Sequence, residues 1–235
     1  MGNISRSTRI PFGVRLVAAI VMTSALGAAW GHGVAGGDAQ FLESVTGLQI
    51  FPLMYLGAKH MVTGYDHLLF LAGVIFFLYR LKDVALYVTL FAVGHSVTLL
   101  VGVLGGIHAN AYIVDAIIGL SVVYKALENI GAFQRLGLQI DSRLAVLAFG
   151  LAHGFGLSTK LQDLNLSPVG LVGNILAFNV GVELGQFAAL AVILLTFQLW
   201  RQTGSFRRGA YLANVLIMTA GLVLFGYQLT GYFVA

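Results

Sequence analysis

The sequence contains no cysteine, only 3 prolines and only 9% charged residues in 235 positions. Without cysteine there are no disulfides, no thiolate metal ligands and no cysteine redox chemistry. So little charge, with 58% of the chain apolar and a mean hydropathy of +0.89, excludes a soluble domain. Apolar runs long enough to cross a bilayer recur along the chain, which is the signature of membrane helices. The lipid bilayer is therefore the first partner. The net charge of +4 gives no case for nucleic acid, because the cations stand singly at the ends of apolar runs rather than in a patch.

Residues 1–31 read as a secretory signal. Arg6, Arg9 and Arg15 form a positive start, Leu16 to Leu26 an apolar stretch, and Gly27, Ala28 and Ala29 the small residues near a cleavage point. Cleavage after Gly31 makes His32 the mature N-terminus, where an amine and an imidazole nitrogen together suit copper. Cleavage after Ala29 removes that option, and an uncleaved anchor helix is the remaining alternative.

Residues 32–49 form a short extracytoplasmic segment, with Asp38 and Glu43, and 50–235 form the membrane domain. The expected fold is an all-α integral membrane protein with six transmembrane helices, at about 50–79, 84–104, 111–132, 143–159, 168–200 and 209–234. Arg80 and Lys82, then Arg135 and Arg143, then Arg201, Arg207 and Arg208 fall on one side, whereas the opposite loops 105–110 and 160–167 carry only Lys160. The Lys/Arg-rich side is cytoplasmic, so the mature N-terminus and the C-terminus both lie outside.

Spans 50–79 and 168–200 exceed the roughly 20 residues of one straight crossing, so each should contain a break, a tilt or a re-entrant piece. Gly64 is the natural break in the first, with the Asp66 side chain capping the helix that follows. Pro168 suits the start of the fifth. Small residues at Gly102/Gly106, Gly150/Gly154 and Gly181/Gly185 predict close helix approach. The aromatic residues are expected at lipid-facing or interfacial positions.

Placing an ionisable group at membrane depth costs roughly 3 kcal/mol or more, so such groups point to function. Asp66 and His67 lie in His60-Met-Val-Thr-Gly-Tyr-Asp66-His67-Leu-Leu-Phe; His95 and Ser96 lie in the second span, and His153 in the fourth. The fifth span carries Asn174, Asn179, Glu183 and Gln186. Counting from the cytoplasmic anchors, His67 is roughly 20 Å from Arg80, His95 roughly 18 Å from Asp83 and His153 roughly 15 Å from Arg143. Glu183 and Gln186 lie roughly 22–27 Å from Arg201 on the same count. Three histidines from three helices thus share one layer, with a carboxylate just above it. In an unbroken helix His60 and His67 are roughly 10 Å apart along the axis. A break at Gly64 either folds His60 back toward the layer or leaves it as an outer way-station.

Single membrane histidines, asparagines and serines often only join helices by hydrogen bonds. Lys125 and Glu128 in the third span read as a helix ion pair before they read as a site, although Glu128 stays a further candidate. Asp115 lies near the outer surface, where water can solvate it. Imidazole beside carboxylate is the donor set that divalent transition metals prefer. Nickel, cobalt, copper and zinc are all compatible with it.

The ordered motifs resemble the HupE/UreJ family. The matching pieces are His60 with Gly64-Tyr65-Asp66-His67-Leu-Leu-Phe, Gly94-His95-Ser96-Val97-Thr98-Leu, Glu128-Asn129, His153-Gly154-Phe155-Gly156, and Phe178-Asn179-Val-Gly181-Val-Glu183-Leu-Gly185-Gln186. They run from 57 to 186. The resemblance implies a nickel or cobalt permease of a bacterial inner membrane, linked to hydrogenase or urease maturation. It also implies that a histidine, a five-residue gap and an Asp-His pair handle the metal, which here are His60, Asp66 and His67. The nickel permeases' second signature has a histidine before the His-Gly pair. Phe149-Gly150-Leu151-Ala152-His153-Gly154 keeps only His153 and Gly154, which leaves the metal open, copper included.

Three functions follow. The first is a permease, with no enzyme activity, that binds a divalent transition metal through His67, His95 and His153. Asp66 balances charge, Glu183 is an added ligand or proton acceptor, and His60 (with His32, if terminal) captures the ion. Ser96 and Asn179 are further candidates beside them. The second is an intramembrane zinc-type hydrolase, because three histidines and a carboxylate also describe a catalytic zinc site. The third is an accessory subunit that delivers metal to a membrane-protein partner. Its short soluble segments leave helix–helix contacts, to a partner or in a homo-oligomer, as the means of docking.

Overall fold

The computed structural model describes residues 36–164 and 167–235, and within them the chain is helical throughout with no strand. The signal reading of 1–31 and the terminal His32 fall outside the described residues. The helices are α1 (Gly36–Ser44), α2 (Ile50–Thr63), α3 (Tyr65–Ile75), α4 (Leu81–Gly105), α5 (Ala111–Asn129), α6 (Ala132–Arg135), α7 (Ser142–Gln162), α8 (Leu171–Arg201) and α9 (Phe206–Val234).

Four of these, α4, α7, α8 and α9, are long and apolar enough to cross a membrane. The expected first span is two short helices instead, and the expected third is α5, which has 19 residues and carries Asp115, Lys125 and Glu128. The break does fall at Gly64, whose backbone is extended at φ −72° and ψ 98° and which ends α2 and starts α3. Asp66 is not the cap. Gly64 holds the capping position without a side-chain bond, and Asp66 Oδ1 lies 3.0 Å from His67 Nδ1. No break interrupts α8, whose 31 residues run on continuously. At a rise of 1.5 Å per residue it measures roughly 46 Å, longer than a hydrocarbon core of roughly 30 Å. Pro168 lies in the turn before α8, and Gly170 at φ +79° takes the cap.

The helices pack in three close pairs: α2 with α8, α4 with α7, and α5 with α9. Missing side chains make the approach possible. A Cβ at Gly94 of α4 would stand 2.6 Å from Leu147 O of α7, and one at Gly185 of α8 would stand 2.6 Å from Ala58 O of α2. Gly150, Gly154 and Gly181 behave in the same way. Gly106 does not: it closes α4 at φ +60°, with open space around its Cα. Matching positions rise together along α2 and α8 (Met54 with Gly181, Ala58 with Gly185) and along α4 and α7 (Phe91 with Gly150, His95 with Gly154), so both pairs are parallel. Along α5 and α9 they run oppositely (Tyr112 with Gly231, Gly119 with Phe225), so that pair is antiparallel.

Polar side chains fasten the ends. Asn174 of α8 accepts from Gln49 N at 2.8 Å and donates to Gly47 O at 2.9 Å. Lys59 of α2 pairs with Asp38 of α1 at 2.8 Å. The N-terminal segment is thus a helix laid on the bundle, with Leu42 and Val45 buried, rather than a free polar stretch. At the other end Arg201 donates to Leu78 O at 3.0 Å, Ile75 O at 2.7 Å and Phe76 O at 2.6 Å. Asp115 is buried, not hydrated: Lys160 of α7 holds it at 2.8 Å and Gln228 of α9 donates to it at 3.3 Å.

Candidate metal centre

The interruption at Gly64 brings His60 back. The His60 and His67 rings are 5.3 Å apart, centroid to centroid, so of the two sequence readings the folded-back one describes the chain. His67 is also the hub for the other helices, with its ring 6.1 Å from that of His95 on α4 and 5.0 Å from that of His153 on α7. Asp66, His67, His95 and His153 are 0%, 3%, 1% and 1% exposed, so the cluster is closed off from solvent. Donor atoms of Asp66, His67 and His153 all lie within 4.8 Å of one another, close enough for one ion.

Hydrogen bonds fix which nitrogen two of the rings, His67 and His153, offer. His67 Nδ1 faces the Asp66 carboxylate at 3.0 Å and His153 Nδ1 faces the Phe149 carbonyl at 2.7 Å. Oxygen acceptors take an N–H, so each neutral ring carries its proton on Nδ1 and its lone pair on Nε2. His67 Nε2 and His95 Nε2 are buried and have no hydrogen-bond partner among the described residues. Buried polar atoms are nearly always satisfied, and an outer partner that fixes the tautomer of a ligating histidine is usual at metal sites. A cation bound by imidazole nitrogen fits this set.

Close helix contact creates the convergence. Gly154, next to His153, has no Cβ and packs on the His95 backbone carbonyl, so α7 crosses α4 where both histidines point inward. Around them Phe70 and Phe91 are 0% and 1% exposed, with the Phe91 ring 5.0 Å and the Phe70 ring 5.3 Å from that of His153. These aromatics are neither lipid-facing nor interfacial, which corrects the sequence expectation for them. Their spacing was a usable signal: Phe70 follows His67 by three, while Phe91 and Phe149 precede His95 and His153 by four, so each shares a helix face with its histidine.

Glu183 is placed in a different group. Its Oε1 accepts from Ser96 Oγ and from Asn179 Nδ2, both at 3.4 Å, and Asn179 Nδ2 also donates to Ser96 Oγ at 2.9 Å. Ser96 adjoins His95 in sequence but faces this second group. Glu128 pairs with buried Lys125, and Ser142 of α7 donates to it at 3.1 Å, which is the ion-pair arrangement.

A family model described as HupE / UreJ protein matches residues 37–235. No curated protein and no solved structure matches the chain.

Proposed function

The chain belongs to the HupE/UreJ family, and from that premise we propose that it is a permease for a divalent transition metal, with nickel or cobalt first and copper next. The observation that carries this reading is the convergence of His60, His95 and His153 on His67, with Asp66 bonded to His67 and with ring nitrogens of His67 and His95 left without a hydrogen-bond partner in the interior. In this reading the ion is cargo. His60, folded back beside His67, captures the ion and shares it with His67, where His95, His153 and Asp66 complete the site. One carboxylate among imidazoles offsets part of the ion's charge, so the ion is held but not trapped. The chain crosses a bacterial inner membrane six times, with α2 and α3 together as the first crossing and α5 as the third.

The test is metal content and flux on one preparation. Purified protein is analysed for bound metal and then reconstituted into liposomes, as wild type, Asp66→Asn and His67→Ala. Flux of nickel, cobalt or copper is expected in the wild type and absent in both variants. Protons compete with the metal for the imidazole nitrogens, so flux should fall as the medium is acidified. A metal that stays tightly bound with no flux would sink the permease reading and favour the hydrolase or the accessory subunit.

A further inference from the structure

A small cavity lies between α2, α7 and α8, toward the start of α8. Leu53 of α2, Leu161 of α7, and Ile175 and Phe178 of α8 line it from the bundle. Leu42 of α1, and Val45 just after α1, complete the lining. Phe178 links the cavity to the histidine cluster: its ring is 6.1 Å from that of His60, which is 5.3 Å from that of His67. Along α7, Leu161 stands two turns beyond His153, roughly 12 Å. The cavity therefore lies between the donor set and the end of the bundle that α1 covers. At about 30 Å³ it has room for one or two water molecules but not for a hydrated ion.

An ion gains nothing from apolar side chains, so this lining must part before an ion can pass it to His60. The walls differ in how firmly they are held. Between α2 and α8, Gly57 packs on the Phe178 carbonyl and Gly181 on the Met54 carbonyl, backbone against backbone. Helix α1 has only nine residues. Leu42 and Val45 are 4% and 8% exposed, whereas Glu43 and Ser44 between them face outward. Among the described residues one ion pair ties α1 to α2, Asp38 with Lys59, and Lys59 is 38% exposed. Exposed pairs of this kind hold weakly. The chain just after α1 is pinned, because Asn174 bonds Gly47 O and Gln49 N, and Gly47 turns at φ +80°. A short helix, weakly tied along its body and joined to a pinned turn, has the form of a hinged element.

We propose that α1 is a plug, which swings about Gly47 and withdraws Leu42 and Val45 so that the metal ion reaches His60 past Phe178. The proposal rests on the permease reading for its cargo and adds the way in. Because α1 touches none of the donor atoms, it sets the rate at which the ion arrives and leaves and not the affinity of the site.

Two measurements on the full chain test this, one of access and one of transport. The chain has no cysteine, so Ile175→Cys places a single thiol in the cavity. Its reaction with a small water-soluble methanethiosulfonate in detergent should be slow, and Leu42→Ser should speed it by roughly tenfold or more, the effect of one buried leucine on the docking of α1. For transport, Asp38→Cys with Lys59→Cys is joined by a short bis-methanethiosulfonate. Nickel flux into liposomes should fall at least tenfold on cross-linking and return with dithiothreitol, while nickel bound at equilibrium stays the same. The return on reduction is read on one preparation, so it stands even if Leu42→Ser does not fold. Equal thiol reaction rates with and without Leu42→Ser would overturn the plug, and so would full nickel flux through the cross-linked protein. A wild type that carries no nickel, cobalt or copper would strike the permease reading instead, and the thiol rates would still decide whether α1 covers the cavity.

Discussion

Gly64 stands between the two halves of the donor set, four residues after His60 and just before Asp66 and His67. Its φ of −72° is open to any residue, so backbone freedom is not the reason for a glycine. Space is the reason: a Cβ there would stand 2.8 Å from His67 Nδ1 and 3.2 Å from Asp66 Oδ1. Gly64→Ala should therefore fold, with a Tm within a few degrees of wild type, yet lose about tenfold in metal affinity because the Asp66–His67 bond that orients the ring is displaced. Calorimetric titration beside a melting curve checks both halves; an unchanged affinity would detach Gly64 from the site. Asp66, His67, His95 and His153 were legible in the sequence because ionisable groups in apolar runs stand out and their depths could be counted. Glu183 shared their approximate depth but not their place, because a count along the axis says nothing about direction around it.

Helix α3 is only 11 residues long, roughly 16 Å, and cannot cross a bilayer alone. It ends in a tight turn, where Phe76 N donates to Gly73 O at 3.4 Å and Leu78 N to Ile75 O at 3.1 Å, and carbonyl capacity left over at such an end is costly near the membrane interior. The fork of Arg201, reaching from the end of α8, satisfies the carbonyls of Ile75, Phe76 and Leu78. From sequence Arg201 was only a marker of the cytoplasmic side, since loop charge reports orientation but not contacts. Arg201→Met should lower stability by roughly 2–4 kcal/mol, the loss of charged hydrogen bonds that leaves acceptors unmet. Arg201→Lys should recover less than half, because a single ammonium cannot span three carbonyls. Unfolding in detergent measures both, and equal stability of Lys and Arg at this position would assign the effect to charge rather than to the fork. The break at Gly64 was readable because span 50–79 was too long for one crossing. The same length argument also allowed a break in 168–200, but α8 has 31 residues with no interruption and no proline inside it, so length alone could not separate a continuous helix from a broken one.

At the scale of the whole molecule, packing direction carries information that hydropathy does not. Among the described residues only α4, α7, α8 and α9 qualify as crossings by length and apolarity, and counting them alone would make α4 and α7 consecutive and therefore opposed. They run parallel, so the chain must return between them, and α5 is the long helix there. Its charges do not forbid this: Asp115 is neutralised by Lys160, and Lys125 by Glu128, in pairs that a window of sequence cannot see. The parallel pair α2 and α8 and the antiparallel pair α5 and α9 have the directions that the proposed six alternating crossings require. The chain lacks cysteine, so each engineered thiol is unique and its side can be tested directly. His108→Cys and Ala235→Cys should react with a membrane-impermeant maleimide added to intact spheroplasts. Lys82→Cys and Arg207→Cys should react only after the membrane is opened. If α5 did not cross, the parity would change after it, and residues 108 and 235 would label from opposite sides.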